Sequence, residues 1–98
     1  MKEDSEMEKD TAVDSFFEAV LTLRSKEECY RFFSDACTPK EIHAIAQRFN
    51  VGKMLYEKRL YSEIIKATGA STATISRVSR STGDGYKIAF ERLKQTDE

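Results

Sequence analysis

The stretch Tyr61–Arg80, YSEIIKATGASTATISRVSR, constrains this chain more than any other. Ile64 and Ile65 give a first short helix its inner, apolar face. Gly69 follows where the chain must turn sharply, and glycine adopts a positive φ without steric penalty. Ala70 is small enough to sit where two helices cross closely. Ser71 is positioned to cap a second helix through its side-chain oxygen. Ile75 and Val78 fall three apart on the inner face of that helix. The outer face carries Thr72, Ala73, Thr74, Ser76, Arg77 and Arg80. The spacing predicts a helix-turn-helix over 61–80, with short polar side chains at the start of its second helix and arginine toward its end. Such a helix can enter a major groove, touch base edges with its first turn and hold phosphates with its flanks.

An ordinary helical hairpin with a glycine cap is the competing reading. It predicts an outer face rich in Glu and Lys. From Gly69 to Ser81 there is no acidic residue, which favours double-stranded DNA as the partner. Ser71, Thr72, Ala73, Thr74 and Ser76 are the candidates for the base-facing start of the helix. Lys66, Arg77 and Arg80 are candidates for phosphate contact, flanked by Lys58 and Arg59. Threonine methyls and alanine suit thymine methyl groups, and hydroxyls can bond a base edge or a bridging water.

The formal net charge of −1 conceals an asymmetry. Residues 1–14 hold six acids against two lysines, whereas residues 57–80 hold five basic residues against Glu57 and Glu63. A nucleic-acid footprint is a local basic face, so a slightly acidic chain can carry one. Residues 1–10 have no apolar period and read as a disordered acidic arm. Residues 11–98 read as a single helical domain, because periodic apolar runs fill most of the length and proline and glycine are few. The class expected is all-α. No apolar run reaches membrane-spanning length and no charged-then-apolar leader opens the chain, so the location expected is the cytoplasm.

Helices are expected over about Thr11–Leu23, from Ser25, from Thr38 to about Tyr56, and over about Tyr86–Lys94. Ser25 with Glu28, and Thr38-Pro39-Lys40-Glu41, have the spacing of capping boxes. In the third helix Ile42, Ile45, Ala46, Phe49 and Leu55 are expected to face inward, and Ser81–Gly85 reads as a loop. The first two helices carry Val13, Phe16, Phe17, Val20 and Leu21, then Cys29, Tyr30, Phe32, Phe33 and Ala36. That is more apolar surface than a short partner covers. A second copy is the simplest cover, and a two-fold dimer would present two reading helices one helical turn apart on DNA. A compact monomer whose first helices wrap the helix-turn-helix is the alternative.

No catalytic pattern is visible. There is no Gly-rich phosphate loop, no HExxH and no nucleophile with a base beside it, so no enzyme and no cofactor are expected. Cys29, Cys37 and His43 are too few for a structural zinc site, and no metal is expected. The two cysteines are expected to be buried, reduced thiols, and His43 to be an exposed or half-buried helix residue. A protein-interaction module, using the helix-turn-helix core as scaffold, is the second functional reading. Such a module has no reason to keep acids off one face of 69–81.

The segment from Thr38 to Ser81 resembles the Trp repressor superfamily. TPKEIHAIAQRFNVGKML is similar to the helix before the reading head of that family, and GASTATISR to its turn and recognition helix. The whole-chain layout resembles the YerC/YecD-type branch, including FFEAVLTLRSKEECYRFFSDACT and the Gly-Asp-Gly-Tyr before the last helix. The resemblance implies an intertwined all-helical dimer that binds operator DNA as a transcriptional regulator, a repressor. In the tryptophan-dependent members the indole lies between two arginines. By motif these fall on Arg48 and Arg77, with Thr38 and Ser81 matching positions that hold the amino-acid carboxylate and amine. One position departs: Val78 stands where the tryptophan-binding protein has glycine. Cys37 and Gly52 also stand where larger apolar residues are found. Valine at that place fills the space of a flat indole, and overpacking costs about 1–3 kcal/mol. The expectation is therefore a regulator that does not require tryptophan; Thr38, Arg48, Arg77, Val78 and Ser81 are the candidate effector pocket, with a structural role favoured for Arg48 and Arg77.

Overall fold

The computed structural model describes residues 10–81 and 83–97. These form six helices: α1 (Thr11–Val20), α2 (Lys26–Ala36), α3 (Pro39–Tyr56), α4 (Tyr61–Thr68), α5 (Thr72–Ser81) and α6 (Asp84–Asp97). No strand occurs among the described residues, so the all-α class is borne out. The expected acidic arm lies outside the described residues except for Asp10, which caps α1 by accepting the Val13 N–H at 2.7 Å. Where the sequence reads as one domain over 11–98, the chain groups into two compact units, Met1–Ile42 and His43–Glu98, with the break inside α3.

In the first unit, each helix start is fixed by a side chain that satisfies an orphan backbone donor. Ser25 Oγ accepts the Glu28 N–H at 3.1 Å, and the Glu28 carboxylate reaches back to the Arg24 N–H at 2.9 Å. That is one residue earlier than a reciprocal box requires. At α3 the box is complete. Thr38 Oγ1 accepts the Glu41 N–H at 3.1 Å and the Thr38 N–H donates to Glu41 Oε1 at 2.8 Å. α1 stops at Val20 rather than Leu23, because the Thr22 hydroxyl takes the Ala19 carbonyl at 2.7 Å and the chain turns toward the Ser25 cap. Phe16 meets Phe32 and Phe33 with ring centroids 5.7 and 6.2 Å apart, and Phe32 meets Phe33 at 5.1 Å. Yet no residue of α1 or α2 is buried.

Cys29 is exposed and Cys37 half-buried, both free, which corrects the expectation of buried thiols. Cysteine is buried where there is a core to bury it in, and these helices carry none of their own. His43 is exposed on α3.

The second unit has a true core. Val51, Ile64, Ala70, Ile75 and Val78 are buried together, with Met54 and Leu55 packed against them. Val51 was not among the inward residues expected of α3, and Ile45 and Ala46, which were, are exposed. The C-terminal half of α3 is the half that meets the core. A second cluster joins α3 to α6: Phe90 lies 5.3 Å from Phe49 and 5.2 Å from Tyr56, and Phe49 meets Tyr86 edge-on at 5.4 Å. Gly52 is buried beneath it, and a Cβ there would stand 2.9 Å from Tyr86 Cδ2. α6 begins at Asp84, two residues before the expected start, with its acid in the first turn where the helix dipole favours it. The expected loop is shortened accordingly, since α5 runs through Ser81.

A candidate DNA-binding face on α4 and α5

α4 and α5 are joined by three residues, and hydrogen bonds define the turn between them. Gly69 takes φ +74°, and its N–H donates to the Ile65 carbonyl at 2.8 Å, closing α4. The Thr68 hydroxyl donates to the Ile64 carbonyl at 2.7 Å and accepts the Ala70 N–H at 3.1 Å. From α3, the Gln47 side-chain amide donates to the Thr68 carbonyl at 3.1 Å. The reading head is thereby tied to the helix before it. Gln47 carries no signal in the sequence, since its partner lies 21 residues away and the bond exists only once α3 and the turn are together.

α5 opens as its sequence predicts. Ser71 Oγ accepts the Thr74 N–H at 3.1 Å and donates its proton to Thr74 Oγ1 at 3.2 Å. A hydroxyl has one proton and two lone pairs. The two hydroxyls pair at the helix start, and each keeps hydrogen-bonding capacity for an outside partner. Ile75 and Val78 face the core as expected. Ile64 does too, but Ile65 is 39% exposed. Neighbours on a helix lie about 100° apart, so only one of the pair can point straight into so small a core.

The opposite face of α5 is open. Thr72, Ala73, Arg77 and Arg80 are exposed, as are Ser71 and Lys66, while Thr74 and Ser76 are half-exposed. Neither α5 nor the turn before it carries an acid. Of the flanking bases, Arg59 is held by carboxylates: its Nε lies 3.0 Å from Glu63 Oε1 and its guanidinium 4.0 Å from Glu57. Glu63 also accepts the Leu60 N–H at 3.0 Å, which secures the start of α4. That backbone bond first, and then Arg59, lower the Glu63 pKa below its ordinary value near 4.5. The i, i+4 spacing of Arg59 and Glu63 is visible in the sequence, and it pairs Arg59, expected as a flanking base, with a carboxylate.

Thr38 lies in the first unit and Arg48, Arg77, Val78 and Ser81 in the second. Thr38 caps α3 in the first unit. In the second, Arg48 and Arg77 are exposed, and the Ser81 hydroxyl donates to the Val78 carbonyl at 3.5 Å. The Val78 side chain is 5% exposed and belongs to the core cluster. No described helix is long and apolar enough to cross a membrane.

Residues 11–94 match the family model of the Trp repressor protein. The chain is 49% identical to the uncharacterized protein YerC of Bacillus subtilis (strain 168), over 87% of this chain and 85% of that one. Among solved structures it is similar to a TrpR like protein from Eubacterium eligens ATCC 27750, with 53% identity and a TM-score of 0.83 over 88% of this chain and 92% of that chain. A candidate Trp repressor of Staphylococcus aureus matches with 45% identity and the same TM-score, over 88% of this chain and 89% of its own.

Proposed function

Because the chain belongs to the Trp repressor family, we propose that it is a cytoplasmic, homodimeric repressor that reads double-stranded DNA in a sequence-specific way and does not require tryptophan. One observation carries the reading: α5 buries Ile75 and Val78 and turns an acid-free face with Arg77 and Arg80 to solvent. In this role Thr72, Ala73, Thr74 and Ser76 meet base edges. The Thr74 hydroxyl can donate or accept and so suits either kind of base-edge group. Ser71 holds the first turn, and Lys66, Arg77 and Arg80 meet phosphates.

Tryptophan independence is supported by Val78. Its side chain is part of the core on which α5 rests, so an indole at that place would have to displace it. An arginine pair could attract an aromatic zwitterion by roughly 0.5–2 kcal/mol of cation–π energy. Steric overlap of about 1–3 kcal/mol opposes it. Calorimetry with millimolar tryptophan should show no saturable heat, and tryptophan should leave DNA affinity unchanged.

Selection from a pool of mixed genomic duplexes, with sequencing of the retained fragments, tests the reading. A recurrent two-fold-related motif is expected; retention without sequence preference would overturn it. Against the selected site, Lys66→Ala and Arg80→Ala should each reduce the slope of log K on log salt by about 0.9. Thr74→Ala should lose about 0.5–1.5 kcal/mol at that site and little on unrelated DNA.

A further inference from the structure

We propose that Gln47, on α3, is the positioning residue that sets the angle of the reading head, so that the sequence preference of the chain depends on a side chain that touches no base. The inference rests on the DNA-reading role proposed above and names the residue that aims α5 for it. The Gln47 side-chain amide donates to the Thr68 carbonyl at 3.1 Å, across 21 residues of chain, and the bond is partly buried. Gln47, Thr68 and α5 all belong to the second unit. By contrast Asn50, Glu63 and Thr68 make side-chain hydrogen bonds within four residues of themselves. Such local bonds shape a helix or its ends and do not say how one helix lies on another.

The Thr68 carbonyl is a lever. It belongs to the last residue of α4, and the final carbonyls of a helix have no partner within it. Gly69 turns the chain at φ +74°, and α5 begins three residues further on at Thr72. A displacement of that carbonyl is therefore handed to the start of α5, where Thr72, Ala73 and Thr74 stand. Gln47 works with Val51, four residues on and on the same side of α3. Val51 is buried with Ile64, Ala70, Ile75 and Val78. Apolar burial is non-directional, so that cluster alone lets the head roll on α3 at little cost. A hydrogen bond has a preferred length and angle, and a second point of hold about 6 Å along α3 removes the roll. Reading base edges needs side chains placed to within about 0.5 Å. The long side chains of Lys66, Arg77 and Arg80 can follow a phosphate through a larger shift.

Two size-matched substitutions test the assignment. Gln47→Met keeps the length of the side chain and loses the donor. Gln47→Glu keeps the shape and sets a carboxylate against a carbonyl. Each chain, at a temperature where circular dichroism shows it folded, is titrated with the duplex selected from the genomic pool and with a duplex of scrambled sequence. The ratio of the two affinities should fall about two- to tenfold for Gln47→Met and further for Gln47→Glu, while Gln47→Met binds the scrambled duplex as the wild type does. Without DNA, amide exchange at Gly69 and Ala70 should quicken severalfold in Gln47→Met and stay unchanged at Ile64 and Ile75. If Gln47→Glu does not fold, Gln47→Met alone decides. An unchanged ratio overturns the proposal, and a lower melting temperature beside it would leave Gln47 a structural residue only. Unchanged exchange at the turn overturns it as well. A wild-type chain that selects no duplex would overturn the proposed function itself, a failure distinct from an unchanged ratio in a chain that does select one.

Discussion

The two units of this chain treat similar apolar side chains in opposite ways. The unit that carries the helix-turn-helix buries Val51, Ile64, Ile75 and Val78 within one copy. The unit that carries α1 and α2 has four phenylalanines and buries none of them. Both sets of helices are amphipathic, capped and well formed, so secondary structure does not explain the contrast. Cover does. α3, α4 and α5 share one cluster of buried residues, whereas α1 and α2 bury no residue. A segment that completes its own core can act as a rigid reading head. One that buries no residue of its own is what the dimer proposed above would cover.

The largest effect should come from forcing a charge onto the uncovered rings. Phe33→Glu should abolish the dimer, because an unpaired carboxylate at a desolvated interface is strongly disfavoured; sedimentation should show only monomer. If the dimer survives, the contrast between the units is not about a partner. Next, Ile75→Ala should destabilise the chain by about 2–5 kcal/mol through a cavity in the helix-turn-helix core, measured by denaturant unfolding. Val78→Gly should follow the same direction and open a space that admits indole as a weak ligand, which calorimetry would detect.

A subtler test separates the units without mutation. The unfolding midpoint should rise with protein concentration if the uncovered unit folds against a second copy. A midpoint independent of concentration would place the compact monomer ahead. The smallest effect concerns Glu63. Its lowered pKa means that its contribution to stability is present above the ordinary value near 4.5 and lost as pH falls through the lowered one. Exchange of the Leu60 amide should quicken in acid for that reason, and Glu63→Gln should remove most of the pH dependence.

The helix-turn-helix was legible in the sequence because its determinants are local. A glycine at positive φ, a serine three before a backbone donor and two apolar residues three apart lie within a dozen positions. The capping boxes were legible for the same reason. What escaped depends on distance. Gln47 finds the Thr68 carbonyl, and Val51 finds the core, only through the crossing of α3 with the turn and α5. The inner face of α3 does not follow a single periodicity: Ile45, Ala46 and Val51 all lie in the second unit, yet only Val51 reaches the buried cluster. The thiols are exposed or half-buried because a residue's preference for burial does not say whether burial is on offer. For the candidate site, the exposed residues of α5 were readable from the wheel of one helix, and the capture of Arg59 by Glu63 was readable but outweighed by its charge.

Gly52 sits where the ring of Tyr86 comes down on α3, so two positions 34 apart in the chain share one volume. Neither can change freely while the other stays. An added methyl at 52 must push Tyr86 away from Phe49 and Phe90, and loss of the ring at 86 would leave a gap over a residue with no side chain to fill it. Across related sequences these two positions should therefore vary together, a bulkier residue at 52 appearing with a smaller one at 86. A chain engineered with Gly52→Ala alone should be less stable than one that pairs it with a smaller residue at 86.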